Sequence, residues 1–351
     1  MGSPSSTPQS APPGNPRPLA SVIVLGFNRK HFIDDCLSSV LDQDLPPDRY
    51  EVLFVDNGSR DGSPQYVRER FPQVRVIELG RNTGYAEGNN IGFRESRGEF
   101  VIFLNDDTAI HRSCLRALIE AVSASPEIAA GHANIIQPWY PEAAGIAARA
   151  DVDAAYTSEV NRFGYIGYRK LPSMDAADTV FLHGVCIIIR RGAGEQLDYI
   201  FDPDFFAYAE DLDLGLRVRA LGYRSVAIPR AIVYHKHQLR TSMDLGTVIK
   251  TVRIIRNRYL AFFKVMSGWE FALMVPLMTV GAPFNSLEFG LSRTRQVLYG
   301  LALVPATVAA LIVTLVQLPQ FAEKRRRVRR SATRGPSWCL RTIWSRAAAQ
   351  S

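Results

Sequence analysis

Four short apolar runs separated by helix-period segments constrain this chain more than any other feature. Ser21–Phe27 (SVIVLGF), Glu51–Val55 (EVLFV), Val74–Leu79 and Phe100–Leu104 (FVIFL) have the length and apolar density of strands covered on both faces. After the first run, apolar residues recur at Phe32, Cys36, Leu37, Val40 and Leu41 within His31–Gln43, which makes a helical stripe. Asp61 can cap a second helix running to about Phe71. Strands alternating with helices predict right-handed βαβ units and a parallel sheet. In such sheets, ligands bind beyond the carboxyl ends of the strands. Three of the runs end there in polar clusters: Asn28-Arg29, Asp56-Asn57 and Asn105-Asp106-Asp107.

Several function classes drop out. The four cysteines (Cys36, Cys114, Cys186, Cys339) are far apart with no CxxC pair, which excludes a disulfide framework or a zinc ribbon. No GxGxxG follows the first strand and no GxxxxGK[ST] occurs, so neither a dinucleotide oxidoreductase nor a P-loop phosphotransferase is supported. The net charge of +7 is concentrated: residues 322–351 hold nine Lys/Arg against one Glu, a net of +8, leaving −1 for the rest. A nucleic-acid-binding domain would distribute its charge the opposite way, so no nucleic-acid partner is expected.

Four segments carry candidate chemistry. In FLNDDT, Asn105, Asp106 and Asp107 follow four apolar residues at a strand's carboxyl end. Carboxylates so placed repel one another unless a cation or donor sits between them, and hard divalent ions pair readily with phosphate oxygens. A turn with a helix cap explains the same letters. In FDPDFFAYAEDLDLGLRVRALGY, Phe205, Phe206 and Tyr208 form an aromatic shoulder before Glu210, Asp211 and Asp213, which open a helix. One acid in a first turn is an ordinary dipole partner. Three beside aromatic residues imply a partly buried carboxyl, which is a better base toward a hydroxyl. Arg217 is placed to neutralise part of that cluster. In AIVYHKHQ, strand alternation sets His235 and His237 on one face, either as structural residues or as ligands to a metal or phosphate. In GRNTGYAEGNNIG, Gly84, Gly88 and Gly92 line one helix face and permit close approach to a strand or a ligand.

SVIVLGFNR, EVLFVDNGSRDGS, GRNTGYAEGNNIGF, FLNDDT, FLHGVCIIIRR and FFAYAEDLDLGLRVRALGY occur in the order seen in family-2 glycosyltransferases of GT-A fold, and the chain most resembles their bacterial rhamnosyltransferase-like branch. The resemblance covers about Ala20–His237. It implies an α/β GT-A fold: a Rossmann-like, mostly parallel sheet flanked by helices. It also implies an inverting, metal-dependent transfer from a nucleoside-diphosphate sugar, rhamnose being the leading sugar. By the same resemblance Asp56 reads the nucleotide base, and Asn28 and Arg29 line the first-strand loop around it. Asn57, Asn82, Gly84, Asn105, Asp106 and Gly184 complete the donor-binding set. Asp107 is the final acid of a metal-binding DxD whose first Asp is here Asn105, and it would hold Mg2+ or Mn2+ together with His235. Asp211, in the pair with Glu210, matches the catalytic base. The QxxRW sequence of processive synthases is absent, which speaks against that manner of polymerisation.

The two ends add a location. Residues 1–18 are rich in Pro, Ser and Gly, with no apolar stretch, and read as a disordered leader. Val297–Leu318 runs 22 residues without a charge and is followed by EKRRRVRR. It is long enough to cross a bilayer of about 30 Å, and its basic flank favours the cytoplasmic side. Trp269–Phe284 is shorter, broken by Glu270 and two prolines, and reads as an interfacial or packed helix. The expected organisation is therefore a leader (1–18), a GT-A domain (19–240), an apolar helical membrane-associated region (241–321) and a basic tail (322–351). Such a protein would sit on the cytoplasmic face of the bacterial plasma membrane and glycosylate a lipid-linked or cell-envelope glycan. A catalytically inactive nucleotide-sugar-binding membrane protein is the alternative.

Overall fold

The structure is a computed structural model, and it describes residues 17–136, 156–161, 163–236, 245–285, 293–335 and 338–348. The leader 1–16 and His237 lie outside them. The expected alternation opens the chain: β1 (Ala20–Gly26), α1 (Lys30–Leu41), β2 (Tyr50–Asp56), α2 (Ser63–Arg70), β3 (Arg75–Glu78), α3 (Gly84–Glu95) and β4 (Phe100–Asn105). Asp61 acts one residue outside the cap position, accepting from the Ser63 N–H at 3.1 Å and from the Lys30 N–H at 2.9 Å, so one carboxylate ties the starts of α1 and α2 together. There follow β5 (Thr108–Ile110), α4 (Cys114–Ser123), β6 (Ile128–Ile136), β7 (Tyr156–Val160), β8 (Ile166–Lys170), β9 (Ala177–Thr179), β10 (Cys186–Arg190), the single turn α5 (Arg191–Gly194), α6 (Glu210–Ala220) and β11 (Arg224–His235). Four helices close the chain: α7 (Leu245–Val265), α8 (Gly268–Asn285), α9 (Arg293–Ser331) and α10 (Trp338–Ala348).

Among the described residues, one sheet of nine strands runs β3-β2-β1-β4-β10-β6-β11-β5, with β9 added on β11, and β7–β8 form a separate antiparallel hairpin. The parallel expectation holds for β3, β2, β1 and β4. Beyond β4 the sheet is mixed: β10 is antiparallel to both of its neighbours, and β11 is parallel to β6 but antiparallel to β5. This reversal matters for the site. Because β10 enters where β4 leaves, with Cys186 opposite Leu104, the loop before β10 arrives at the same edge as the end of β4.

Helices cover both faces. α1 and α4 bury Ile33, Cys36, Leu37, Leu115 and Leu118 on one face, and α3 and α6 bury Ala86, Leu214 and Val218 on the other. The glycine row of α3 faces a strand. A Cβ on Gly88 would lie 2.6 Å from Leu25 Cδ1, and one on Gly92 would lie 2.6 Å from Ile23 Cγ2, so the helix can lie this close to β1 only without those methyls.

The C-terminal helices build their own core against α6, joining Leu212 and Leu216 to Tyr259, Phe262, Met274, Phe321 and Trp338. α7 and α9 run parallel, with Arg256 Nε donating to Gln317 Oε1 at 2.7 Å and Arg325 donating to the Phe263 carbonyl. The boundary drawn by composition at 321/322 therefore falls inside one continuous helix. The basic segment is the far end of α9, and α10 returns Trp338, Cys339 and Ile343 to the buried core.

A buried ion network fastens this extension to α6. Lys264 Nζ lies 2.6 Å from Asp213 and 2.7 Å from Asp202, all three fully buried. Arg217 holds Asp213 at 2.7 Å, and Lys324 of α9 pairs with Asp202 and with Asp204. Removing one partner from a buried pair strands a charge and costs about 3–5 kcal/mol. Lys264→Met is therefore expected to lower the stability of the purified full-length protein by an amount in that range, read from its unfolding midpoint. A loss below about 1 kcal/mol, typical of an exposed pair, would show that the network is not a fastening.

Candidate functional site

Strand register places the acids. Asp56 ends β2 opposite Gly26, and Asn105 ends β4 opposite Leu25, so both clusters leave the sheet at the carboxyl end of β1. The Asn105 N–H donates to the Val185 carbonyl at 3.0 Å, which brings Gly184 to the same edge. Gly184 N–H in turn donates to Asp211 Oδ2 at 3.0 Å, and its carbonyl accepts from the Tyr85 hydroxyl at 2.7 Å. His235 ends β11 opposite Thr108, with Nε2 3.2 Å from Asp107 Oδ1. Positions 56, 107 and 211 thus meet along one rim through backbone pairing.

Asp56 is buried. Its Oδ2 accepts from the Gly58 and Ser59 N–H groups at 3.1 and 3.0 Å, while its Oδ1 has no partner among the described residues. A buried, fixed carboxylate with one open oxygen is suited to an N–H donor such as a base edge. The expected donor-binding residues around it are engaged with the chain itself. Asn57 accepts from the Thr83 N–H and donates to Asn82 and to the Gly84 carbonyl, so its amide is spent shaping the 82–84 loop. Asn82 receives that bond and accepts from the Gly84 N–H at 2.9 Å. Asn28, at φ +54°, accepts from the Arg60 N–H and so stitches the loops after β1 and β2 together.

Arg29, in the loop after β1, turns to the acids at the end of β4. Its guanidinium lies 2.6 Å from Asp107 and 3.3 Å from Asp106, because two buried acids at a strand end need a countercharge. Burial pushes Asp106 up to about 7, with Arg29 opposing and the Asp107 charge adding. Burial acts on Asp107 too, but the His235 hydrogen bond and the His235 and Arg29 charges hold it below the ordinary carboxylate range. The neighbours therefore divide the work, and Asp107 is the one kept anionic. Among the described residues, no three His, Cys, Asp or Glu side chains cage an ion. Asp107 and His235 supply one hard oxygen and one imidazole nitrogen. That fits a divalent cation which takes its remaining ligands from a diphosphate and water, as Mg2+ does with substrate phosphates.

Glu210 and Asp211 open α6 after a strained approach. Phe206, Tyr208 and Ala209 have φ of +62°, +74° and +60°, a conformation costing about 1–3 kcal/mol per residue unless the surroundings enforce it. Asn257 of α7 enforces it, its amide donating to the carbonyls of Phe205, Ala207 and Tyr208 at 3.1, 3.1 and 2.7 Å. Gly84 completes the fit: at φ +85°, a Cβ there would lie 2.6 Å from Phe206. Burial lifts Asp211 to about 6, and N–H bonds from Leu212 and Gly184 check the rise. Burial and then the Asp211 charge push Glu210 well above its ordinary value, and its Oε2 has no hydrogen-bond partner among the described residues. The pair therefore carries its charge on Asp211. The third acid, Asp213, points away into the ion network.

Four contributors escaped the sequence reading. Tyr85 stands in the glycine-rich segment and bridges α3 to Gly184. His183 stands in FLHG, beside His132 and Phe181, with a buried Nδ1 that has no hydrogen-bond partner among the described residues. Burial holds it neutral, at about 3. Asn257 and Arg258 lie 46 and 47 residues after Asp211 in a helix whose basic and apolar pattern gives no sign of the site.

Comparison with known proteins agrees with this geometry. A family model described as Glycosyl transferase family 2 matches residues 21–197. The chain is 29% identical over 236 residues to an N-acetylglucosaminyl-diphospho-decaprenol L-rhamnosyltransferase of Mycobacterium tuberculosis, covering 62% of this chain and 76% of the relative. Among solved structures it is similar to a mannosyltransferase from Pyrobaculum calidifontis in complex with GDP-Man and Mn2+ (TM-score 0.53, 20% identity, 96% of this chain and 90% of the other). It is also similar to GalNAc-T7 with UDP, GalNAc and Mn2+ (TM-score 0.59, 15% identity), where it covers 79% of itself and 52% of that longer chain. These structural likenesses establish the shared α/β GT-A architecture.

The ion-site geometry yields a test. Calorimetric titration of a nucleoside diphosphate with and without Mn2+ is expected to show an ion-dependent gain in affinity that Asp107→Ala reduces on the order of 10–100-fold. Equal gains in both proteins would remove Asp107 from the site.

Proposed function

The chain belongs to glycosyl transferase family 2, and from that premise we propose that it is an inverting enzyme moving a sugar from a nucleoside-diphosphate donor to a hydroxyl of a lipid-linked envelope glycan. The observation that carries this is the shared rim of Asp56, with one carboxylate oxygen unpartnered among the described residues, Asp107, held below the ordinary carboxylate range, and Asp211, lifted above it. Rhamnose is the sugar named for the mycobacterial relative, and it is the donor sugar of this proposal.

In this reading, Asp56 takes the base with its open oxygen, and the 82–84 loop, held by Asn57, seats the nucleotide. Asp107 and His235 would hold Mg2+ or Mn2+, and the ion, when bound, would supply positive charge to a diphosphate leaving group. Arg29, half-exposed, is within reach of the same phosphates. Asp211 accepts the proton of the acceptor hydroxyl as that oxygen attacks the anomeric carbon from the face opposite the leaving group, so one displacement inverts the centre. Gly184 and Leu212 N–H groups fix the carboxylate, and Glu210 stays protonated beside it. The strained 206–209 turn, clamped by Asn257, sets where that base points.

The extension supports a membrane site of action. Among the described residues, one helix, Val304–Ser331, is long and apolar enough to cross a bilayer, with only 28% of its apolar window buried. A soluble core helix would be mostly buried. Here Ala306, Thr307, Ala310 and Thr314 face the protein, while Val304, Val308, Ile312 and Val316 face outward. Small residues inside and large aliphatics outside is the packing of helices in lipid. The basic end of α9 is seated on the domain through Lys324, and by the positive-inside tendency that basic end supports a cytoplasmic active site in this reading.

A thermal-shift panel of nucleotide sugars tests the donor. The true donor is expected to stabilise the protein by mass action, and no response to any member would defeat the reading. Asp211→Asn is expected to slow transfer by about 10²–10⁴-fold while donor binding survives; unimpaired turnover would dismiss the base. An acid whose value is raised to about 6 is protonated below that pH and free to accept a proton above it. Wild-type kcat/KM should therefore fall by about tenfold per pH unit below about 6. A profile flat down to pH 4 would contradict that assignment.

A further inference from the structure

Two cations on α7 stand beside the catalytic turn without acidic partners among the described residues. Lys250 Nζ lies 5.0 Å from the centre of the Tyr208 ring, and Arg253 Cζ lies 5.0 Å from that of Phe206. Both rings are substantially exposed, at 38% and 40%. Among the described residues, neither cation meets a carboxylate at ion-pair distance. Lys250, Arg253 and Asn257 share one helical face by their spacing of three and four, and Asn257 holds the turn that leads into Asp211. A cation stacked on an aromatic face keeps its N–H groups free for an anion.

Apolar surface begins where this cationic stripe ends. Val248 and Ile249, immediately before Lys250, are 44% and 51% exposed. The outward row of α9, ending at Val316, runs alongside because α7 and α9 are parallel. Exposed aliphatic residues on two packed helices, with paired cations stacked on the turn that leads into Asp211, fit a molecule with a hydrocarbon tail, a phosphate joint and a hydroxyl-bearing head. In the reading above the donor's diphosphate is assigned to Asp107, His235 and Arg29, a different set of residues.

We propose that Lys250 and Arg253 bind the lipid-borne phosphates of the acceptor, with its hydrocarbon lying along the exposed aliphatic faces of α7 and α9. This rests on the transferase reading above, since it names the acceptor side of the same site. Phosphate recognition here sets the distance from the bilayer at which a hydroxyl meets Asp211.

The test uses the full-length protein and vesicle co-sedimentation. Phosphatidylcholine vesicles with and without a polyprenyl diphosphate are offered to the wild type, to Lys250→Gln/Arg253→Gln, to Lys250→Arg, and to Arg329→Gln/Arg330→Gln. The last removes two exposed charges from the end of α9. The polyprenyl-diphosphate-dependent part of binding is expected to fall on the order of tenfold in the Lys250/Arg253 variant, at roughly one unit of headgroup attraction per charge, and to be kept by Lys250→Arg. The Arg329/Arg330 variant is expected to keep that dependent part. Equal losses in the two double variants would reduce the stripe to general surface charge and overturn the proposal. So would an equal loss of soluble nucleoside-diphosphate binding, which would assign the cations to the donor. The assay needs no turnover: absence of sugar transfer by the wild type would sink the transferase reading while leaving this binding result to be judged by itself.

Discussion

The buried pairing of Asp213 with Lys264 and Arg217 is the constraint on which the rest of the structure depends. It lies two residues beyond the catalytic candidate Asp211, on the same helix. It fixes α6 to α7, and through Asp202 and Lys324 it fixes both to α9. Burying these charges is costly, and each is tolerated only because its partners are also buried there. What the arrangement provides is register. α7 is held so that Asn257 meets three carbonyls of the turn before Asp211, and the turn keeps a conformation its residues would not adopt alone.

The site therefore has two halves with different supports. The donor half is made by the sheet, where strand register sets Asp56, Asn105 and His235 along one edge and short loops tie themselves together with their own amides. The acceptor half is made by helices, and its geometry is borrowed from the extension. α9, whose outward aliphatic row is the proposed lipid-facing surface, packs on α7, whose Asn257 clamps the turn before Asp211, so in the proposed reading membrane seating and active-site shape share one support. Within each half, neighbouring acids are separated in character by what covers them. Arg29 and His235 keep Asp107 charged while Asp106 is lifted by burial, and the Glu210–Asp211 pair retains one charge for the same reason.

The sheet's first half was legible because buried parallel strands are short apolar runs, and β1, β2 and β4 fall within a residue or two of the runs at 21–27, 51–55 and 100–104. The rim was legible for a related reason: polar residues directly after such a run have nowhere to go but the strand ends. The small strands β5, β7, β8 and β9 carry no comparable run, being edge or hairpin pieces whose burial comes from neighbours distant in sequence. Arg29 illustrates the limit well. Its position after β1 announced a ligand loop, yet its partners are fixed by the field of two buried acids 77 and 78 residues away.

By itself the sequence determined the alternating core, the chemical type of each cluster, the family, and a 22-residue charge-free run long enough to cross a bilayer. Those are properties of local pattern and composition, which act over a few residues. Only the tertiary structure decided that β10 enters antiparallel and carries Gly184 to Asp211, that Asp213 is a fastening rather than a catalyst, and that α7 brings Asn257 and two cations to the turn. Such decisions depend on burial and on charge pairing between segments far apart in the chain. A carboxylate's task follows from its surroundings, and those exist only once the chain has closed around it.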